Sequence, residues 1–272
     1  MTSMTAAKIT NTRITRVFEK VKSEGRAAMM PFVTAGWPRL DDTEDLLKAL
    51  IEGGADLIEV GIPFSDPIAD GPTVQRASQK ALENGVTPNH AFESVRALRE
   101  QGVDTPLVFM GYYNPVYAFG LEAYVARCAE VGVDGLIVPD LPPEESDPLL
   151  EACVKHNVHL IYLLAPTSTP ERVEAVLQRA NGFIYLVAAT GITGARTAFQ
   201  AGLADYVARV RRHADLPLAI GFGISTRAHV LEAEKLAGGV IIGSALLDRL
   251  ERASPDDLLA EARDFVRSLR GG

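Results

Sequence analysis

Eight short apolar runs, each bounded by glycine or proline and separated by stretches of helical periodicity, constrain this chain more than any other feature. They are MMPFVTA (29–35), ADLIEVG (55–61), PLVFMG (106–111), GLIVPD (135–140), HLIYLL (159–164), FIYLVA (183–188), PLAIGFG (217–223) and GGVIIGS (238–244). Nearly continuous apolarity over so few residues marks strands covered on both faces, as in a parallel sheet. Amphipathic segments fill the gaps. TEDLLKALIEGG (43–54) places Leu46, Leu47, Leu50 and Ile51 at helical spacing, and PERVEAVLQRA (170–180) opens with Pro170 after Thr169, a good N-cap. LEAYVARCAEVG and SPDDLLAEARDFVRSL behave alike.

Strand and helix alternating eight times predict a parallel α/β fold. A (β/α)8 TIM barrel typically takes about 250 residues as one domain, so the 272 residues here are read as a single barrel over 1–272 rather than a doubly wound sheet. An internal echo supports repetition: GGADLIEVGIPFSD (53–66) and VGVDGLIVPDLPPE (131–144) share Gly-x-Asp, an apolar strand and an acidic, proline-rich loop. An extra N-terminal helix around TRITRVFEKVKSEG precedes the first strand and is placed to plug the barrel's bottom.

Composition narrows the function classes. The net charge is −8 with no basic block, which argues against nucleic acid binding, since that needs a Lys/Arg stripe. No run reaches the roughly 18 apolar residues of a membrane span, and the first residues lack the apolar core of a signal peptide, so a cytoplasmic protein is expected. The two cysteines, Cys128 and Cys153, sit in helical stretches without metal spacing and read as buried, reduced thiols.

In this fold the chemistry lies where the strands end. Strand two offers Glu59: alternation turns Leu57 and Glu59 inward and Ile58 and Val60 toward the helices. A structural ion pair and a catalytic acid both account for such a residue. The loop GIPFSDPIADGP (61–72) holds Asp66 and Asp70 between prolines. Prolines stiffen a loop enough to fix a carboxylate beside a substrate, and a plain turn with capping aspartates has the same composition. Gly221-Phe222-Gly223-Ile224-Ser225 follows strand seven, and Gly243-Ser244 opens a short helix after strand eight. Those two ends with a helix N-terminus make the recurrent phosphate site of such barrels, although tight turns alone also use glycine. Strand six carries Tyr185 and runs into the Gly/Thr-rich stretch AATGITGART (188–197), which reads as a lid or an ordinary loop.

The absences are informative too. An imine-forming aldolase needs a lysine inside the barrel. Lys8, Lys20, Lys22, Lys48, Lys80, Lys155 and Lys235 all fall in helical or terminal segments. A metal-dependent one needs clustered ligands, and His90, His156, His159, His213 and His229 avoid the C-terminal strand ends. Carboxylate acid–base chemistry on a phosphorylated substrate is what remains.

The motif LIEVGIPFSDPIADGPTVQ (57–75) closely resembles the signature of tryptophan synthase α subunits, as do PFVTAG (31–36), GVDGLIVPDLP (132–142), TGITG (190–194) and GFGIS (221–225), in that family's order and across nearly the whole chain. The resemblance implies retro-aldol cleavage of indole-3-glycerol phosphate to indole and glyceraldehyde 3-phosphate, without metal or imine. Glu59 matches the catalytic glutamate, which protonates C3 of the indole and assists loss of the glycerol hydroxyl proton. Asp70 matches the acid that accepts the indole N–H. Gly194, Gly223, Gly243 and Ser244 match phosphate contacts, Tyr185 a residue beside the glycerol, and Phe32, Ile137 and Phe222 the apolar walls around the indole. The resemblance further implies a β-subunit partner in an α2β2 assembly, to which indole passes, with pyridoxal phosphate only in that partner and no cofactor in this chain. The segments 61–72 and 188–203 are the family's contact and switching elements, with Thr193 closing onto Asp70. Many members carry a polar or basic residue where this chain has Ala188 and Ala189, a departure that bears on the lid and not on the chemistry. Competing readings are a phosphate-binding barrel isomerase or epimerase, a non-catalytic activator of a partner, and a lyase that releases free indole alone.

Overall fold

The computed structural model describes residues 9–187, 196–221 and 223–271, with the backbone alone for 196–201. Eight strands, β1 (Ala28–Thr34), β2 (Ile58–Gly61), β3 (Leu107–Met110), β4 (Gly135–Ile137), β5 (His159–Leu164), β6 (Ile184–Val187), β7 (Leu218–Gly221) and β8 (Gly239–Ile242), pair in sequence order into a closed barrel. Every pairing is parallel, including the β8–β1 seam, where Met30 lies opposite Ile241. The expected runs all contain strands, most of them shortened. Pro106, Pro139 and Pro217 lie just outside the strands, although the Pro106 and Pro217 carbonyls still accept the N–H groups of Ile58 and Ile184.

The helices are α1 (Arg13–Ser23), α2 (Thr43–Glu52), α3 (Pro72–Glu83), α4 (Pro88–Glu100), α5 (Tyr113–Phe119), α6 (Leu121–Val131), α7 (Asp147–Lys155), α8 (Pro170–Arg179), α9 (Arg196–Arg211), α10 (Arg227–Glu234), α11 (Ser244–Arg252) and α12 (Leu258–Arg270). Simple alternation is broken where α3 and α4 both separate β2 from β3 and α5 and α6 both separate β3 from β4. Pro72 at the first position of α3 ends the acidic loop by starting a helix.

Two apolar clusters divide the molecule as strand alternation demands. Ile58 and Val60 join the outer cluster between strands and helices. Met30, Leu57, Val108, Ile137, Ile161, Phe183, Ala219 and Ile241 fill the barrel interior together with Ile14, Phe18 and Val21 of α1. The N-terminal helix therefore closes one end of the barrel, with Phe18 against Phe183 at 5.6 Å between ring centroids. Thr12 caps it by accepting the N–H of Thr15, and the Thr12 hydroxyl lies 2.9 Å from Nε2 of buried His159. Arg13 bonds Asp104 at 2.7 Å and Asp134 at 3.2 Å. Asp134 also binds Arg99 at 2.8 Å and takes the backbone N–H of Leu107. With that end sealed by packing and ion pairs, the opposite, C-terminal end of the strands is left for chemistry.

No helix among the described residues is long and apolar enough to cross a membrane, and no group of three or more His, Cys, Asp or Glu among them is arranged to hold a metal. Cys128 and Cys153 are buried free thiols.

Candidate active site

The barrel's open end is a cavity of about 1030 Å³ whose lining includes Phe32, Glu59, Asp70, Met110, Leu163, Tyr185, Gly221, Gly223, Ile241, Gly243 and Ser244. Glu59 is its most unusual member. On β2 it sits between Phe32 of β1 and Val108 of β3 in the ladder, fully buried, with neither carboxyl oxygen hydrogen-bonded among the described residues. An unpartnered buried carboxylate is very costly, so such a group keeps its proton. Burial, and secondarily the negative charge of Asp70, pushes the Glu59 carboxyl up to about 8.

Asp70 reaches the same cavity from the loop after β2. The Asp70 N–H donates to the Pro67 carbonyl, and Nε2 of Gln75 on α3 donates to the Asp70 carbonyl at 2.8 Å. Tyr112, just past β3, takes the Ala69 N–H on its hydroxyl oxygen at 3.0 Å, which sets that hydroxyl beside the Asp70 carboxylate. Burial raises Asp70 to about 6, with the Tyr112 hydroxyl pulling it back down. At neutral pH one acid is therefore mostly protonated and the other mostly ionised, an asymmetry suited to one proton donor and one charge stabiliser. Burial, with Glu59 and Asp70 nearby, holds the Tyr185 phenol well above its ordinary value, so it stays a hydrogen-bond donor.

Two glycines make room for the rings. A Cβ on Gly221 would sit 2.3 Å from the Tyr185 hydroxyl, and one on Gly61 would sit 2.5 Å from the tip of Phe32. Across the mouth, Gly243 caps α11 with φ −107° and ψ −91°, Ser244 is the first helical residue, and Gly223 takes a left-handed φ of 54°. The first N–H groups of a helix lack partners within it, and a helix N-terminus favours an anion.

The structure thus brings Phe32, Glu59, Asp70, Tyr185, Gly223, Gly243 and Ser244 onto one cavity. Ile137 is not on its wall. It is fully buried in the interior cluster, paired in register with Met110 and Ile161, and of these three only Met110 lines the cavity. Thr193, Gly194 and Phe222, together with Ala188 and Ala189, lie outside the described residues. Met110, Leu163 and Tyr112 escaped the sequence reading. Strand alternation pointed Met110 and Leu163 inward, whereas the reach of Tyr112 into the neighbouring loop is a tertiary contact with no local signature.

The family model for the tryptophan synthase alpha chain matches residues 18–269. The tryptophan synthase alpha chain of Roseiflexus sp. (strain RS-1) is 50% identical over 259 residues, covering 95% of this chain and 99% of the relative. That of Chloroflexus aggregans is 49% identical over 257 residues, covering 94% and 96%. Among solved structures, tryptophan synthase subunit alpha from Legionella pneumophila str. Paris superposes with a TM-score of 0.89 at 34% identity, covering 96% of this chain and 98% of that one. A chain of Mycobacterium tuberculosis tryptophan synthase superposes at 0.87 with 36% identity, covering 96% and 98%. With a barrel closed in this order and a model match that spans all eight strands, the chain belongs to the tryptophan synthase alpha chain family.

Proposed function

We propose that this chain is the lyase subunit of a tryptophan synthase, a single barrel domain that cleaves indole-3-glycerol phosphate into indole and glyceraldehyde 3-phosphate. The observation that carries the reading is a fully buried carboxyl, Glu59, without a partner among the described residues, in one cavity with an ionised Asp70. Cleavage of the bond between indole C3 and the glycerol carbon needs a proton delivered to C3. Glu59 holds one at neutral pH. As C3 becomes tetrahedral, positive charge develops on the indolenine nitrogen, where Asp70 accepts the N–H and stabilises the charge. Glu59, now a carboxylate, takes the hydroxyl proton of the adjacent carbon. The C–C bond breaks, its electrons return to the ring, the glycerol carbon becomes an aldehyde, and Glu59 recovers its proton.

The N-terminus of α11 with Gly243 and Ser244, together with Gly223 and Gly194, would hold the phosphate. Phe32 and Phe222 would bound the indole, and Tyr185 the glycerol, while Ile137 packs in the layer beneath the cavity. Thr193 would close onto Asp70. In this reading the protein acts in the cytoplasm without a cofactor of its own, and indole passes to a pyridoxal-phosphate-bearing β subunit in an α2β2 assembly.

The test is indole release from indole-3-glycerol phosphate, with and without a tryptophan synthase β subunit. Slow release alone that rises strongly with the partner supports the reading. Fast release alone identifies an autonomous indole-producing lyase. No release in either condition, from folded protein, sinks it.

A further inference from the structure

The cavity walls are electrostatically mismatched to a phosphorylated substrate. Among the described residues, the acidic and basic side chains lining the cavity are Glu59, which keeps its proton, and Asp70, Asp140, Asp248 and Arg172. Four are acids and Arg172 is the one cation. Asp248 is offset by Arg76 at 3.3 Å and by the Thr73 hydroxyl, and the Asp140 carboxylate accepts the Tyr113 N–H. A phosphate monoester carries about −1.5 to −2 at neutral pH. Asp70 and Asp140 line the cavity it must occupy, and the backbone amides and hydroxyl at the start of α11 carry no formal charge.

Arg172 is built to receive it. It lies in the first turn of α8, where its N–H is capped by the Thr169 hydroxyl. Its guanidinium holds Glu144 at 2.7 Å, in the short turn Pro143–Glu145 that follows β4. Both partners stay wet, with side chains 39% and 56% exposed, and an ion pair in water is weak and easily exchanged. A guanidinium presents a planar fork of donors that fits phosphate oxygens.

We propose that Arg172 is the recruiting cation of this active site: it exchanges Glu144 for the incoming phosphate at the cavity rim and raises affinity for the phosphorylated substrate. It is a positioning residue that takes no part in proton transfer. The inference rests on indole-3-glycerol phosphate being the substrate.

Steady-state indole release by the full chain with its β subunit, at low and high ionic strength, tests it. Arg172→Gln is expected to raise KM about three- to tenfold, with kcat nearly unchanged, and to flatten the dependence of KM on salt, as loss of one screened unit charge near a dianion requires. Arg172→Lys restores much of the affinity. Glu144→Gln, which releases the guanidinium, lowers KM. An Arg172→Gln variant with the parent's KM and salt dependence overturns the proposal, as does an Arg172→Lys variant no better than Arg172→Gln, since that outcome marks a merely structural side chain. If the parent chain itself releases no indole, the substrate reading fails first and this proposal falls with it. That failure is recognised before any variant is compared.

Discussion

At the residue scale, the protonation pattern of the two acids makes the pH profile diagnostic. Asp70 must be ionised to hold the indole N–H as charge develops, and burial has lifted it to about 6. Glu59 must enter the reaction protonated, and its proton leaves near 8. The kcat/KM for indole release is therefore expected to rise as pH climbs through about 6 and to fall through about 8, because kcat/KM reports the free enzyme's acid and base. A profile flat from pH 6 to 9 would contradict the assignment of Glu59 as the proton donor. The glycine opposite Tyr185 carries a steric prediction. A methyl at Gly221 would overlap the Tyr185 ring, so the ring must shift. Gly221→Ala is expected to push the phenol into the glycerol end of the cavity and to lower kcat/KM at least about tenfold, since a misplacement of roughly 1 Å near the reacting centre can cost on the order of 100-fold. Shortening the ring in the double variant Gly221→Ala, Tyr185→Leu removes the clash. If Gly221→Ala alone keeps the parent's kcat/KM, the close approach has no functional weight.

At the element scale, α1 shows how the fold leaves one end of the barrel free. Its apolar stripe of Ile14, Phe18 and Val21 fills the interior cluster from below, while Thr12 caps its first turn and Arg13 ties it to Asp104 and Asp134. Phe18→Ala is expected to destabilise the protein by about 3–5 kcal/mol, the usual range for deleting a buried ring, read from denaturant unfolding. Its distance from the cavity predicts an unchanged KM. A loss below about 1 kcal/mol would mean the helix is an appendage rather than a plug. The strands were legible because parallel strands covered on both faces leave unbroken apolar runs, and α1 because its periodicity is strong. α5 was not legible: Tyr113–Phe119 is only two turns long, has Pro115 inside it and follows a strand-end glycine. The layer to which an inward residue belongs was hidden as well. Alternation assigns Ile137 and Met110 to the same inner face, but only the closed barrel's stagger separates the buried one from the one that meets substrate. Arg172 read as one more polar residue on an amphipathic helix, because its meaning depends on acids contributed by the segments after β2 and β4 and by α11.

At the scale of the whole molecule, the site is an element of stored instability. Folding takes the Glu59 carboxyl from water into a position where neither oxygen finds a donor among the described residues, a cost that the interior and outer clusters must offset. The sign follows from proton binding. Below pH 4.5 the group is protonated folded or unfolded and contributes no pH dependence. Between 4.5 and about 8 the unfolded chain releases the proton while the folded chain retains it. The unfolded state is then favoured increasingly, by about 1.4 kcal/mol per pH unit at most for one fully retained proton. His159 works in the opposite sense: burial lowers it to about 4, so its contribution to stability is lost as pH falls from 6.5 toward 4. Subtracting the unfolding curve of one variant from that of the parent isolates a single group from such opposing neighbours. Glu59→Gln removes the ionisation and keeps the shape. Its stability relative to the parent is expected to improve steadily from pH 4.5 to pH 8, reaching a few kcal/mol at the alkaline end, while indole release is lost. Guanidinium denaturation at pH 5, 6.5 and 8 decides the matter. Parallel stability curves for parent and variant would mean that Glu59 already finds a partner for its charge in solution, and its role as a poised proton donor would have to be abandoned.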